Sequence, residues 1–564
     1  MKKETKICQN CKNEFIIESD DFGFYEKIGV PLPTFCPECR YIRRLLDRNE
    51  YNLYKRKCDA TGEDIISIYR TEQPFPVYKQ EYWKSDKFEA TEYGRDFDFS
   101  RSFFEQYDEL RRIVPHLALV NSNSVKSEYT NQSNNNKECY MLVTSDRSEK
   151  CLYGNWNQRS FFCSDCSMIE KCEFCYEGMN LSKCSNCGWI LDCSDCVNVY
   201  FSRDCRGCND CFGCVGLRNK QYYWFNENLD REEYKKKIRD FIWDNKSIDR
   251  IKDEFSKFQL NFPFKYYHGS QVNNSTGDYI KNVERSRYLF NCRDNKDTAY
   301  MQDAWNQTVD SRDCTEIVVS EMSYEIQGVE IPHRTIVARS CFNTITDSYY
   351  CDMCFSIQDC LGCFGLKKKQ YCILNKQYTK EEYLKLKEKI ISHMKKRGEW
   401  GEYFPAGLSP FAYNESMAQD YFPLTKKEAL TKGYKWYDKP NPNYKITLEN
   451  KDLPKTIKEA TNDILNQIID CQTQSENDKE NYPECTHAFR LTQLEFALYQ
   501  KMKIPIPEYC FACRRVKRFK LRNPRKLWHR KCMKEGCANE FETSYAPDRP
   551  EIVYCERCYQ QEVY

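Results

Sequence analysis

The sequence predicts a mainly β fold with α: a duplicated central parallel β-solenoid capped by helices, flanked at both termini by homologous zinc-ribbon or treble-clef modules. Three observations carry this. The two ends of the chain align without a gap, the interior repeats at a spacing of 149, and cysteines of the first interior half recur every 21 residues. Repeats are read before motifs because a missed repeat misnames the fold.

The terminal modules come first. Phe15 to Cys58 aligns on Phe489 to Cys532 at an offset of 474, which sets Tyr25 on Tyr499, Cys36 and Cys39 on Cys510 and Cys513, and Asn49 on Asn523. Cys8-x2-Cys11 and Cys36-x2-Cys39 supply the four soft thiolates that tetrahedral zinc prefers, and the second pair runs into the helical pattern RYIRRLLDRNEYNLY. At the other end Cys485, Cys510 and Cys513 match Cys11, Cys36 and Cys39, but Tyr482 stands where Cys8 should have its counterpart. His487 is taken as the fourth ligand, with Cys471 or a water as alternatives. Cys532-x4-Cys537 with Cys555-x2-Cys558 is a complete ribbon spacing. Its N-terminal counterpart has decayed: Lys79 and Tyr82 lie opposite Cys555 and Cys558, leaving Cys58 stranded and without a metal. About three structural zinc sites follow.

In the interior, Cys163, Cys184 and Cys205 are 21 apart, as are Cys166, Cys187 and Cys208, and Cys172, Cys193 and Cys214. A period of this length without Leu-rich or two-helix patterning suits one coil of a parallel β-solenoid. The stacked thiols are then small apolar fillers of a narrow core, or additional zinc ligands in the Cys163 to Cys214 columns. An iron-sulfur alternative rests on Cys205-x2-Cys208-x2-Cys211-x2-Cys214, whose last gap is short and where Val215 replaces the proline of the ferredoxin run. Stacked thiols also lie within disulfide reach, which a reducing compartment opposes.

The second half repeats the first: CFGCVGLRNKQYYW from Cys211 aligns on CLGCFGLKKKQYCI from Cys360, and Trp156-Asn157-Gln158 recurs as Trp305-Asn306-Gln307. These last triplets read as buried turns with an Asn ladder, or as aromatic and amide groups for sugars or bases. Capping boxes at Ser102 with Glu105 and Thr379 with Glu382, and a cap at Asp230 with Glu233, start helices at FFEQYDELRRIV, EEYLKLKEKII and EEYKKKIRDF. Such helices cap the open solenoid ends. KTIKEATNDILNQIID reads as an amphipathic helix between two linkers, Trp436 to Lys445 and Cys471 to Pro483. The organisation is a zinc-ribbon module over 1–96, solenoid halves over 97–247 and 248–400, a linker with helix over 401–480, and a double ribbon over 481–564.

Composition narrows the function classes. The net charge of +2 predicts no general affinity for nucleic acid, so any polyanion site is local. With six histidines among 564 residues and 35 cysteines, metal sites are thiolate-based and His-dependent catalysis has few candidates. The start MKKETKICQN has no apolar stretch for a signal peptide, and no apolar run approaches the roughly eighteen residues of a span, so a cytoplasmic, membrane-free setting with reduced thiols is expected. No P-loop, GxSxG or HExxH occurs. Asp96 and Asp98 could form an acid-base pair but read more simply as solvated or salt-bridged, and no catalytic residue is assigned.

The strongest local charge is Arg514 to Lys531, with ten basic residues and no acid. Arg514, Arg515, Lys517, Arg518, Lys520, Arg522, Arg525, Lys526, Arg530 and Lys531, with Trp528 interleaved, form a candidate surface for RNA or a ribonucleoprotein, because cations neutralise phosphates and aromatics stack on bases. The N-terminal copy keeps Arg43 and Arg44 but adds Asp47 and Glu50.

KKKQYCILNKQYTKEEY, NPRKLWHRKC and SYAPDRPEIVYCERCYQQEVY give the chain a resemblance, over nearly its whole length, to cysteine-rich zinc-ribbon proteins recurrent in genomes of ultra-small, candidate-phyla bacteria. The resemblance implies the architecture and a bacterial cytoplasmic setting, and no activity. The leading expectation is a non-enzymatic multi-zinc scaffold that binds RNA or a ribonucleoprotein. Alternatives are metal storage or electron transfer through the cysteines, a solenoid platform for protein partners without nucleic acid, and a solenoid enzyme acting on polysaccharide, which would need a carboxylate cluster on one face.

Overall fold

A computed structural model describes residues 3–317, 320–440, 444–475 and 482–563. The inner parts of both predicted linkers, 441–443 and 476–481, lie outside the described residues. With 25% helix and 29% strand the chain is mixed α/β rather than mainly β.

From Asn121 to Trp224 the backbone bridges itself in parallel, each segment pairing with the one 12 residues later: Ser167 with Met179, Glu173 with Ser185, Asn209 with Gln221. A residue with left-handed φ recurs every third position, from Gln132 through Asp165 to Asp204. That conformation is uncommon outside glycine and favours Asn and Asp. Each coil therefore has four three-residue sides, and the side chain that follows each left-handed residue turns inward, as Cys166 does after Asp165 and Cys172 after Lys171. Only four side chains fill a layer, which selects small ones. Cys163, Cys166, Ile169 and Cys172 form one fully buried layer, and Cys187, Ile190, Cys193 and Cys196 another. Gly178 leaves room for Leu181, since a β-carbon there would come within 2.4 Å of its side chain.

The period is thus 12, not 21. Because inward positions recur every three residues, any multiple of three superposes cysteine on cysteine, and a step of 21 moves one coil up and three corners on. Cys163 stands beneath Cys175 and Cys187, not beneath Cys184. A second ladder, from Gly269 to Gln377, keeps the 12-residue step at Asp278 with Phe290 and Gln358 with Gln370, but inserts a residue between Arg293 with Trp305 and Asn295 with Thr308. Asn306 and Gln307 absorb the insertion with consecutive positive φ.

Both ladders end alike. The last parallel strand folds back as an antiparallel hairpin, Trp224 on Glu227 and Ile373 on Lys376, and a capped helix follows, Arg231–Asp240 or Lys380–Lys396. Tyr234 and Tyr383 bury against these ends, and the edge that remains is a strand of only two residues, Glu227–Asn228 or Lys376–Gln377. The helix Phe103–Ile113 has the expected capping box but packs on the second ladder: Phe103 lies against Tyr350 and would meet any β-carbon added at Gly362. KTIKEATNDILNQIID is not an α-helix. It forms turns, the 3-10 segment Asn462–Asn466 and the strand Ile469–Asp470, because Ile468 and Ile469 pair with Thr447 and Phe489 and draw the backbone away. Ile457 and Ile464 still bury as the pattern implies.

The terminal modules staple the two ladders in a crossed arrangement. In the helix Pro37–Leu45, Arg40 donates to Asp313 at 2.8 Å and Arg44 lies 3.7 Å from the same carboxylate. In the matching helix Phe511–Phe519, Arg514 reaches Asp165 at 3.1 Å and Arg518 at 2.7 Å. Asp165 and Asp313 both have fully buried side chains and both precede a buried cysteine, Cys166 or Cys314. Arg40 and Arg514 also donate to equivalent carbonyls, Phe35 at 2.6 Å and Tyr509 at 2.9 Å. The other part of each module takes the opposite ladder: Val77–Tyr78 pairs with His116–Leu117, which leads into the first, and Val553–Tyr554 with Phe264–Lys265, which leads into the second.

His268 joins three segments at the start of the second ladder. Its Nδ1 lies 2.8 Å from Asp278, its Nε2 3.6 Å from Asp192 of the first ladder, and Tyr279 stacks on its ring at 4.4 Å, while Ser544 of the C-terminal module donates to Asp278. Burial alone would lower His268, but Asp278 and Asp192 outweigh it and raise its pKa to about 9.

Two outcomes follow. Asp165→Ala, which strands two buried guanidiniums, is expected to cost about 3–5 kcal/mol in denaturant unfolding, whereas Lys517→Ala on the exposed side of the same helix changes little. Because His268 has a raised folded pKa, its contribution is fully present below about pH 6.5 and is lost as pH rises to about 9. His268→Gln should flatten the stability-against-pH curve over that window, and a curve unchanged by the substitution would count against the hub.

Candidate metal centres

Three groups of four thiols have all their sulfurs within 4.8 Å: Cys8, Cys11, Cys36 and Cys39; Cys471, Cys485, Cys510 and Cys513; and Cys532, Cys537, Cys555 and Cys558. Four sulfurs bound at about 2.3 Å to a tetrahedral zinc lie about 3.8 Å from one another. The separations here are 3.8 Å for Cys11 and Cys36, 3.8 Å for Cys471 and Cys513, 3.5 Å for Cys510 and Cys513, and 3.9 Å for Cys537 and Cys555. The donor sets fit a metal ion of that size.

Local structure repeats at each group. A hairpin carries the first thiols in two of them: Glu4–Ile7 with Glu14–Ile17, and Trp528–Lys531 with Glu540–Thr543. A helix begins just after the third thiol, so Cys36 and Cys510 are its N-caps, where the helix dipole favours negative sulfur. The third cysteine's amide donates to the first cysteine's sulfur every time: Cys36 to Cys8 at 3.2 Å, Cys510 to Cys471 at 3.2 Å, Cys555 to Cys532 at 3.3 Å. In each group some thiols are pushed down and their neighbours up. Cys39 is pushed down to about 5 by the Cys36 thiol and the Asn10 amide, and Cys471 to about 7 by Cys485. Burial would raise Cys555, but Asn539 and the neighbouring thiols hold it at about 6.

This geometry corrects one expected ligand. Cys471, not His487, is the fourth member of the Cys485 group, reached from a strand 14 residues upstream rather than from a tight knuckle. The amide bond from Cys510 marks Cys471 as the equivalent of Cys8. Cys58 keeps the same bond, from Lys79 at 3.3 Å, as a relic of a fourth site whose other thiols are gone.

Among the described residues no interior cysteine belongs to a group of three or more ligands, so the columns do not assemble the additional zinc sites considered above. These thiols instead donate to the carbonyl two residues before them and, in many cases, to the one nine residues on, as Cys163 does to Phe161 at 3.4 Å and to Cys172 at 3.5 Å. Burial raises Cys139 to about 11 and Cys292 to about 12, which keeps them protonated.

The candidate RNA-binding residues divide. Arg514 and Arg518 are buried on Asp165, and Arg515 lies 3.2 Å from Asp420 and also bonds Glu484. Arg525 is held by Asp303 at 2.8 Å, Arg43 by Glu325 at 2.6 Å, and Arg44 donates to Gln302 at 2.9 Å. These six serve packing, because acids remote in sequence neutralise them. Lys517, Lys520, Lys526 and Lys531 remain exposed, with Arg522, Trp528 and Arg530 half-buried beside them. Lys520 sits over the Tyr482 ring, Arg522 over Phe519 and Lys526 over Trp528. Asp96 is paired with Lys376 at 2.7 Å and Asp98 accepts from Ser100, so the two do not form an acid-base site. Asp165 and Asp313 escaped the sequence reading, although Arg40 and Arg44 recurring as Arg514 and Arg518 was a visible sign.

No known family model and no curated protein matches the chain. Among solved structures it is similar to a "putative acetyltransferase" from Desulfovibrio desulfuricans G20 at 11% identity, over 43% of this chain and 63% of that one, with a TM-score of 0.11, a likeness that carries no argument about fold or function. No helix among the described residues is long and apolar enough to cross a membrane.

Elemental analysis of protein purified without added metal should find about three tetrahedral ions per chain. Cys471→Ser should lower that count by one, and His487→Ala should leave it unchanged. The reverse result would restore the histidine.

Proposed function

We propose that this chain is a non-enzymatic zinc-dependent scaffold: two 12-residue-coil β-solenoids held side by side by terminal modules that zinc folds, with an RNA or ribonucleoprotein partner on the C-terminal ribbon. The observation that carries the scaffold is the placement of all three four-thiol groups in the modules whose arginines clamp the ladders. Small ribbons have little core of their own, so metal binding supplies their folding free energy. Removing zinc would release the clamps as well as the knuckles.

The nucleic-acid part rests on the exposed cations that remain after the buried arginines are set aside. Lys520, Lys526 and Lys531, with half-buried Trp528 and Arg522, offer positive charge beside aromatic rings on one module. Storage or electron transfer by the interior thiols is the weaker reading, since among the described residues none of them joins a group of three or more ligands and thiols such as Cys163 are already engaged with carbonyls.

The partner is tested by binding of a single-stranded RNA 20-mer to the zinc-loaded protein at several salt concentrations. Lys520→Glu, Lys526→Glu and Lys531→Glu together should weaken binding by about tenfold or more and reduce the salt slope. No salt-dependent binding, or binding indifferent to the triple variant, would remove RNA from the proposal while leaving the zinc scaffold to be judged by its metal content.

A further inference from the structure

A groove of about 760 Å³ runs between the two ladders, and both copies of the Trp-Asn-Gln motif open into it. Trp156 and Trp305 pack against one another in its wall, ring centroids 5.0 Å apart and inclined by 32°. The two ladders thus meet side by side at their duplicated triplets. Both indoles are half-buried, while Asn157 of the first copy turns into the core and Asn306 of the second, displaced by the inserted residue, is exposed. A second aromatic pair, Phe342 and Phe355, stacks at 4.9 Å further along the same groove.

The polar lining mixes amide and hydroxyl groups with charges of both signs. Gln132, Gln158, Asn306 and Asn343 present side-chain amides, each able to donate and accept at once. Of the described lining residues five are basic and four acidic, so the charge nearly cancels. Several of these are already engaged: Glu316 with Arg48, Arg293 with Glu170, and Lys367 with three backbone carbonyls. A polyanion would find no excess of positive charge here. Half-exposed aromatic faces flanked by paired donors and acceptors suit a ligand with apolar C–H faces and hydroxyl edges. A groove open along its length suits a linear one. We infer that the groove between the ladders binds an uncharged linear oligosaccharide, with Trp156 and Trp305 as its platform and the amides of Gln158 and Asn306 reading hydroxyls.

The test uses the full zinc-loaded chain and calorimetric titration with cellohexaose, chitohexaose, maltohexaose and xylohexaose. At least one should bind saturably. Trp305→Ala should weaken it by tenfold or more, and Gln158→Ala with Asn306→Ala, which removes two partly or fully exposed amides and should leave the melting temperature unchanged, by about fivefold. Three results would overturn the inference: no binding by any of the four at millimolar concentration, binding indifferent to the amide variant, or displacement of the bound sugar by single-stranded RNA at the concentration that saturates the C-terminal ribbon.

Discussion

Two buried carboxylates, Asp165 and Asp313, hold this molecule together. Each sits at a ladder corner in left-handed backbone, with no solvent, and would be intolerable there alone. A pair of arginines one helical turn apart compensates each. For Asp165, burial by itself would raise the carboxyl, and Arg514 and Arg518 bring it below its ordinary range. A desolvated ion pair contributes little net stability but costs a great deal to break. Its main effect is therefore positional, because the helix can seat only where the carboxylate waits. With two such pairs crossed between the ends of the chain and the two ladders, each module has one seating.

The four-thiol groups extend the same logic outward. A helix such as Pro37–Leu45 is nine residues long and would be marginal by itself. Cysteines at its N-terminus and in the hairpin before it anchor its first turn through the bond from the Cys36 amide to the Cys8 sulfur, and the arginines that follow within two turns are thereby aimed. The relic at Cys58 makes the point by contrast. There Val77–Tyr78 still pairs with the lead-in strand and Lys79 still donates to sulfur, so that ribbon is carried by packing against Trp83 and its neighbours without a thiol cluster.

The basic run at 514–531 illustrates how charge density misleads when read along the chain. Local counting finds ten cations and no acid, yet four of those arginines meet Asp165, Asp303, Asp420 or Glu484, which come from other segments. What remains for a partner is a smaller set of lysines on the outer side. Between the ladders, in contrast, charge nearly cancels and amides and indoles are left. The two surfaces therefore present different chemistry.

How much was legible follows from which interactions are local. The duplications, the helix caps at Ser102, Asp230 and Thr379, and two of the three thiol groups were determined by the sequence alone, since each depends on residues a few positions apart or on direct self-similarity. The recurring cysteines predict parallel stacking but at a step of 21, although Cys172, Cys184, Cys196 and Cys208 stand 12 apart, because a three-residue corner repeat makes several periods match equally well. Only the tertiary structure decided that Cys471 completes its group, that the arginines face inward, that the segment 455–470 leaves the helix for strand pairing, and that Trp156 meets Trp305. Each of those joins residues far apart in the chain, where burial and electrostatic pairing, not local propensity, set the lowest free energy.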